Sequence, residues 1–176
     1  MLNNSLNIFI HNIIQLTMTK ENEVQIIEPG GGKHIMISGD IDSILLAKNQ
    51  TNGTYSIVEG RIYPGGGPPP HIQTREYEGF YVLDGELIFN VEGKQVSSKA
   101  GTMINIPPRV IHSFKNNTEN IVRVLIIIAP AGMEKLFEEV GTEVFDINIG
   151  KTSSPSDEEK KRLVEISKRY GVEIIV

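Results

Sequence analysis

The sequence predicts an all-β fold, a small antiparallel barrel with short helices at its C-terminal end, and three observations carry that prediction. From Val24 to about Pro130 the apolar runs are short and of strand type. Gly, Pro, Asn and Asp interrupt them at close intervals, and helical periodicity is confined to the stretch beyond Pro130.

Taken in order, the expected strands are His34 to Ser38, Ser43 to Ala47, Thr54 to Tyr63, Gly79 to Leu83, Glu86 to Val91, Thr102 to Ile106 and Val122 to Ile128. Asn52-Gly53, Asp84-Gly85 and Glu92-Gly93 stand between apolar runs, where residues that tolerate positive φ make tight hairpins, so the pairing is antiparallel. Ala131 to Val140 reads as a short helix with Met133, Leu136, Phe137 and Val140 on one face and Gly141 as its stop. A second helix starts at Ser154-Pro155 or Ser156, has Asp157, Glu158 and Glu159 in its first turn, and ends at Lys168, Arg169 and Gly171. Its apolar face is Leu163, Ile166 and Tyr170.

A chain of 176 residues suffices for one core and is too short for two ordinary domains. The expected organisation is an N-terminal extension over 1–23, a barrel over 24–145 and a C-terminal helix and tail over 146–176, packed outside the barrel. Met18, followed by polar residues, offers a second start, which would place 1–17 upstream of the natural chain. The apolar residues before it lack a cationic start and a small-residue cleavage site, so cytoplasmic residence is the expectation. A net charge of −5 without a basic block argues against nucleic acid and anionic membranes as partners; a small hydrophobic or aromatic molecule fits better. With no cysteine, any metal must be held by nitrogen and oxygen.

Of the four histidines, His11 and His34 stand alone and read as ordinary polar side chains. His71 follows the stiff segment Gly65 to Pro70 and precedes Gln73, and residues two apart on a strand share a face. Glu78, at the start of the next strand, can close the group, and the turn at Pro107-Pro108 can bring His112 in from a neighbouring strand.

These two stretches resemble the cupin superfamily. Gly65, His71, Gln73, Glu78 and Gly85 fall at the spacings of its first motif, and Gly101, Pro107, Arg109, His112 and Asn116 at those of its second. Two identities depart: Gln73 stands where a second His is usual, and Arg109 where Gly is usual. The wording around the motifs looks like the single-domain, quercetin-dioxygenase-like branch. The resemblance implies a double-stranded β-helix, the jelly-roll barrel, holding one divalent metal ion (iron, nickel, manganese, copper or zinc) through His71, Gln73, Glu78 and His112. An amide oxygen at Gln73 softens the preference for copper, nickel or iron. Arg109 asks for a different turn, since Gly alone takes positive φ freely.

The implied activity is dioxygenase-type oxidation of a flat hydrophobic substrate, flavonoid-like or an enol or diketone, with Glu78 as general base and Phe80, Val82, Phe89, Phe114 and Ile126 on the pocket wall. A metal-free binding module, in which the same four side chains are a satisfied polar cluster, and a redox-inactive zinc or manganese isomerase or lyase stand beside it. A homodimer is expected, because a barrel of this size leaves a strand edge to cover.

Overall fold

The computed structural model describes residues 24–151 and 155–175; the expectations for residues 1–23 and for a helix start at Ser154 lie outside them. In chain order the strands are β1 (Lys33–Ile37), β2 (Asp40–Leu46), β3 (Ser56–Ile62), β4 (His71–Gln73), β5 (Tyr77–Asp84), β6 (Glu86–Val91), β7 (Lys94–Lys99), β8 (Met103–Ile106), β9 (His112–Lys115) and β10 (Val122–Ala129). Helix α1 (Glu134–Val140), β11 (Thr142–Val144), helix α2 (Asp157–Arg169) and β12 (Val172–Ile174) follow.

Every pairing given for these strands is antiparallel, and two sheets result, ordered β11-β1-β2-β3-β10-β5-β8 and β12-β4-β9-β6-β7. The alternation that marks a strand in the sequence becomes an inner face here: along β10, Val122, Val124, Ile126 and Ile128 are buried and the residues between them only partly so. Phe80, Phe89 and Phe114 meet at the centre with ring centroids 5.2 to 5.6 Å apart, edge-on or tilted.

The turns divide into kept and corrected expectations. Glu92 and Gly93, both at positive φ, close the two-residue hairpin between β6 and β7, with Val91 opposite Lys94. Asp84-Gly85 does not make a hairpin, because β5 pairs with β8 and β10 while β6 pairs with β7 and β9; it carries the chain from one sheet to the other. Gly85 is required there: at φ +82°, an added Cβ would also lie 2.9 Å from Val122 Cγ2. Ser38-Gly39, a hairpin not read from the sequence, joins β1 to β2.

The described residues from 155 onward contribute more than an external cover. β12 pairs with β4 and so extends the second sheet, with Val172 opposite Gln73 and Ile174 opposite His71. α2 begins in a capping box, Ser156 Oγ accepting from Glu159 N–H and Glu159 Oε2 from Ser156 N–H. It lies beside α1: Arg162 donates to the Glu139 carbonyl at 2.8 Å, and Tyr170 Oη donates to the Glu139 carboxylate at 2.8 Å. The apolar faces of both helices turn toward the barrel mouth. Among the described residues, no helix is long and apolar enough to cross a membrane.

Candidate metal centre

His71 and Gln73 project inward from β4 and are buried, with the partly exposed Ile72 between them. The segment ahead of β4 is held by its backbone. Asp40 accepts from the N–H groups of Tyr63 and Gly67, each at 2.8 Å, and Gly65 N–H donates to the Asn116 carbonyl. Gly67, at φ +118°, runs so close to β9 that a Cβ would stand 2.1 Å from the Phe114 carbonyl oxygen, so only glycine serves. Asn116 completes the brace by donating to the carbonyls of Ile62 and Asn120.

Glu78 enters from β5, and His112 from β9, directly opposite His71. The candidate ligand atoms of His71, Glu78 and His112 all lie within 4.8 Å of one another, and all three residues are buried. His112 Nε2 stands 2.8 Å and His71 Nε2 3.9 Å from Glu78 Oε2, and the two rings are 4.3 Å apart. Each imidazole is fixed by its other nitrogen: Nδ1 of His71 lies 3.0 Å from the Pro69 carbonyl and Nδ1 of His112 lies 3.0 Å from the Val110 carbonyl. A carbonyl oxygen can only accept, so Nδ1 carries the proton on both rings and Nε2 faces the centre.

Without an ion, His112 Nε2 and Glu78 must share a proton. Burial disfavours the charged ring, but the hydrogen bond and charge of Glu78 outweigh it and raise the His112 pKa above its ordinary value. Burial dominates at His71 and lowers its pKa, with Glu78 opposing and His112 adding to the effect. A divalent metal requires a neutral His71 and a His112 whose Nε2 proton is displaced to solvent as the cation binds.

Gln73 supplies the sharpest test of fit. It is 2% exposed, and neither its Oε1 nor its Nε2 has a hydrogen-bond partner. A buried amide left wholly unpaired costs on the order of 1–3 kcal/mol, and a metal or a bound molecule would satisfy it. Two imidazole nitrogens, a carboxylate and an amide oxygen are a hard-to-borderline set that suits a divalent transition metal.

A cavity of about 150 Å³ opens beside this group. Its wall includes His71, Gln73, Glu78, Phe80, Phe114 and Ile126. Val82 and Phe89, expected on the same wall, are fully buried in the core and do not line it. They share an inward face with the lining residues but lie at another depth in the barrel. The sequence leads us to expect the first helix to cover an open edge or end of the barrel, but it does not assign to the cavity wall its Met133, Leu136, Phe137 and Val140, nor Leu163 and Ser167 from α2. Asp40 and Asp42 on β2 were missed as well, since two acids on a strand's inner face break the expected alternation. Arg109 keeps positive φ, at 72°, and its side chain is exposed; the turn survives with arginine in it, contrary to the expectation of a different turn.

Comparison with known proteins agrees with this architecture. Residues 58–128 match the family model described as a cupin domain. Over 116 residues the chain is 21% identical to quercetin 2,3-dioxygenase of Bacillus subtilis, a match covering 66% of this chain and 34% of that protein. The chain thus spans about a third of the length of that relative. Among solved structures, a predicted oxalate decarboxylase from Thermotoga maritima superimposes with a TM-score of 0.57 at 23% identity, covering 60% of this chain and 98% of the other. An RmlC-like cupin from Shewanella frigidimarina gives 0.56 at 20% identity, covering 66% and 98%. A polyketide cyclase from Streptomyces resistomycificus gives 0.55 at 20% identity, covering 61% and 80%. At these identities the structural likenesses speak for the fold alone. Motif spacing, two-sheet topology and the family match over residues 58–128 converge on the cupin fold for the barrel of this chain.

Proposed function

We propose that this chain is a metal-dependent enzyme that binds one divalent ion through His71, Gln73, Glu78 and His112 and oxidises a small, largely apolar enol or diketone with dioxygen. The observation that carries the reading is the buried His/Glu/His group with the unpaired Gln73 amide at the wall of an apolar cavity. Similarity to a quercetin 2,3-dioxygenase supports the reaction class.

When bound, the metal would act as Lewis acid toward the enol oxygen and as electron conduit between substrate and dioxygen. The chain supplies the rest. Glu78, relieved of the proton it shares with His112 once an ion is bound, would take the proton of the substrate hydroxyl. Phe80, Phe114 and Ile126 hold the apolar body, and the helical roof excludes water. Size selects between the substrate classes: a cavity near 150 Å³ is of the order that accommodates benzene, so one ring fits and a three-ring flavonoid does not.

Elemental analysis of protein purified without added metal tests the reading, beside Gln73→His and His112→Ala variants. Near-stoichiometric transition metal in the parent, lost in His112→Ala, together with oxygen uptake on a one-ring diketone and none on quercetin, is expected. A parent that stays empty while Gln73→His fills would overturn it. That outcome would favour the second reading, a metal-free binding module, for which the Glu78–His112 pair, satisfied without any ion, is the specific support. Metal present without oxygen uptake would instead indicate the redox-inactive isomerase or lyase. A homodimer is proposed as the solution state, and a monomer by light scattering at micromolar concentration would refute it.

A further inference from the structure

The cavity has a second polar region that the metal reading leaves unused. Asp42 lies on β2, three strands from Glu78 in the order of the larger sheet, and its side chain turns into the barrel. It is paired in register with Gly60, whose missing side chain leaves the room: a Cβ there would lie 3.4 Å from Asp42 Oδ1 and 3.1 Å from Val124 Cγ1. Asp40, two residues earlier, is explained by the backbone N–H groups of Tyr63 and Gly67. Asp42, partly buried, makes no side-chain hydrogen bond among the described residues, and Ser167 Oγ, which reaches the same cavity from α2 on a fully buried residue, has no partner.

Two polar groups without side-chain partners, one of them fully buried, face one apolar cavity from separate elements, and a ligand that satisfies both gains by it. A water or a purely apolar molecule of the cavity's size would leave at least one of them, or the apolar wall, poorly served. We propose that Asp42 and Ser167 together form a hydroxyl-recognition site, selecting small one-ring molecules that carry an alcohol or phenol group. A hydroxyl both donates and accepts, so it can give its proton to Asp42 and receive one from Ser167 Oγ. Burial, and then the charge of Asp40, push the Asp42 carboxyl up to about 7, so near neutrality it can also exchange these roles. This selectivity rests only on a ligand entering the cavity and holds with or without a metal.

Binding of phenol and of toluene, two molecules of nearly equal shape, decides it. Both are titrated by NMR into the parent, Ser167→Ala and Asp42→Leu, with thermal melts confirming that each variant is folded; Asp42→Asn serves if Asp42→Leu is not. Phenol should bind the parent about five- to tenfold more tightly than toluene, the worth of a buried hydrogen bond, and each variant should lose most of that preference by weakening phenol alone. Metal content should match the parent in every variant, which separates failure of this site from failure of the metal reading. Equal affinity for the two probes, no binding of either at millimolar concentration, or a preference that survives both substitutions would overturn the proposal.

Discussion

Two groups of polar side chains sit inside one barrel, and they are built on opposite principles. At the His/Glu/His group the ring nitrogens and the carboxylate are engaged: Nδ1 atoms on backbone carbonyls, His112 Nε2 on Glu78. Elsewhere on the cavity wall Asp42 makes no side-chain hydrogen bond among the described residues, and Ser167 Oγ and the Gln73 amide have no partner. The first region can persist as it is and needs a proton removed before it takes a cation; the second is incomplete until something enters. A fold tolerates the second kind of arrangement only where binding repays it later.

The largest expected effect breaks the satisfied region. His112→Ala leaves Glu78 buried without its partner, and should cost about 3 kcal/mol in a urea melt of the metal-free protein. Because the His112 pKa is raised above 6.5, the pair's contribution is fully present below 6.5 and is lost as pH rises through the raised value. The gap between parent and variant should therefore be widest at pH 6 and narrow above it. Metal affinity runs the other way, strengthening over the same window as the displaced proton becomes easier to release; calorimetric titration at several pH values checks the sign.

Next comes the roof. Leu136→Ala removes a buried side chain from α1 over the cavity and should cost about 2–3 kcal/mol while admitting larger ligands, so that a two-ring probe binds the variant and not the parent. Asp42→Asn sharpens the contrast from the unsatisfied side. A carboxyl raised from 3.8 to about 7 withdraws stability as pH rises between those values, so the variant should gain over the parent by an amount that grows from pH 4 to 7, on the order of 1 kcal/mol or more, and levels off above. The smallest effect, a gain of about 1 kcal/mol or less, is expected for Arg109→Gly, which relieves a left-handed arginine at the corner before His112.

How much of this the sequence disclosed follows from what alternation can and cannot encode. β6 and β10 were legible as short runs rich in branched and apolar residues, although Ile88, Leu125 and Ile127 put apolar side chains on their outer faces as well. β7, Lys94–Lys99, was invisible: it lies at the edge of its sheet, and its one large apolar residue, Val96, is exposed. The site's His and Glu positions were readable from spacing, since strand geometry dictates which residues share a face. Phe80 and Val82 show the limit, for they share a strand and a face, yet only Phe80 reaches the cavity. Depth along a barrel axis comes from tilt and stagger between strands, which no single strand records. Ser167 was hidden for a related reason, because α2 had to be placed over the barrel before a serine beside its apolar stripe could be seen to face inward.

The pairing of β12 with β4 bears on the order in which the molecule assembles. β4 is only three residues long, carries His71 and Gln73, and lies between β9 and β12. His71 meets Ile174 across 103 positions of chain (174 − 71), one of the longest loops the fold must close. Contacts of such separation form late, after local hairpins like β6 to β7. On a ribosome, the strand that presents two of the four candidate ligands therefore stays unpaired on one side until residues 172–174 have been made, and capacity to hold an ion is expected to lag behind collapse of the barrel.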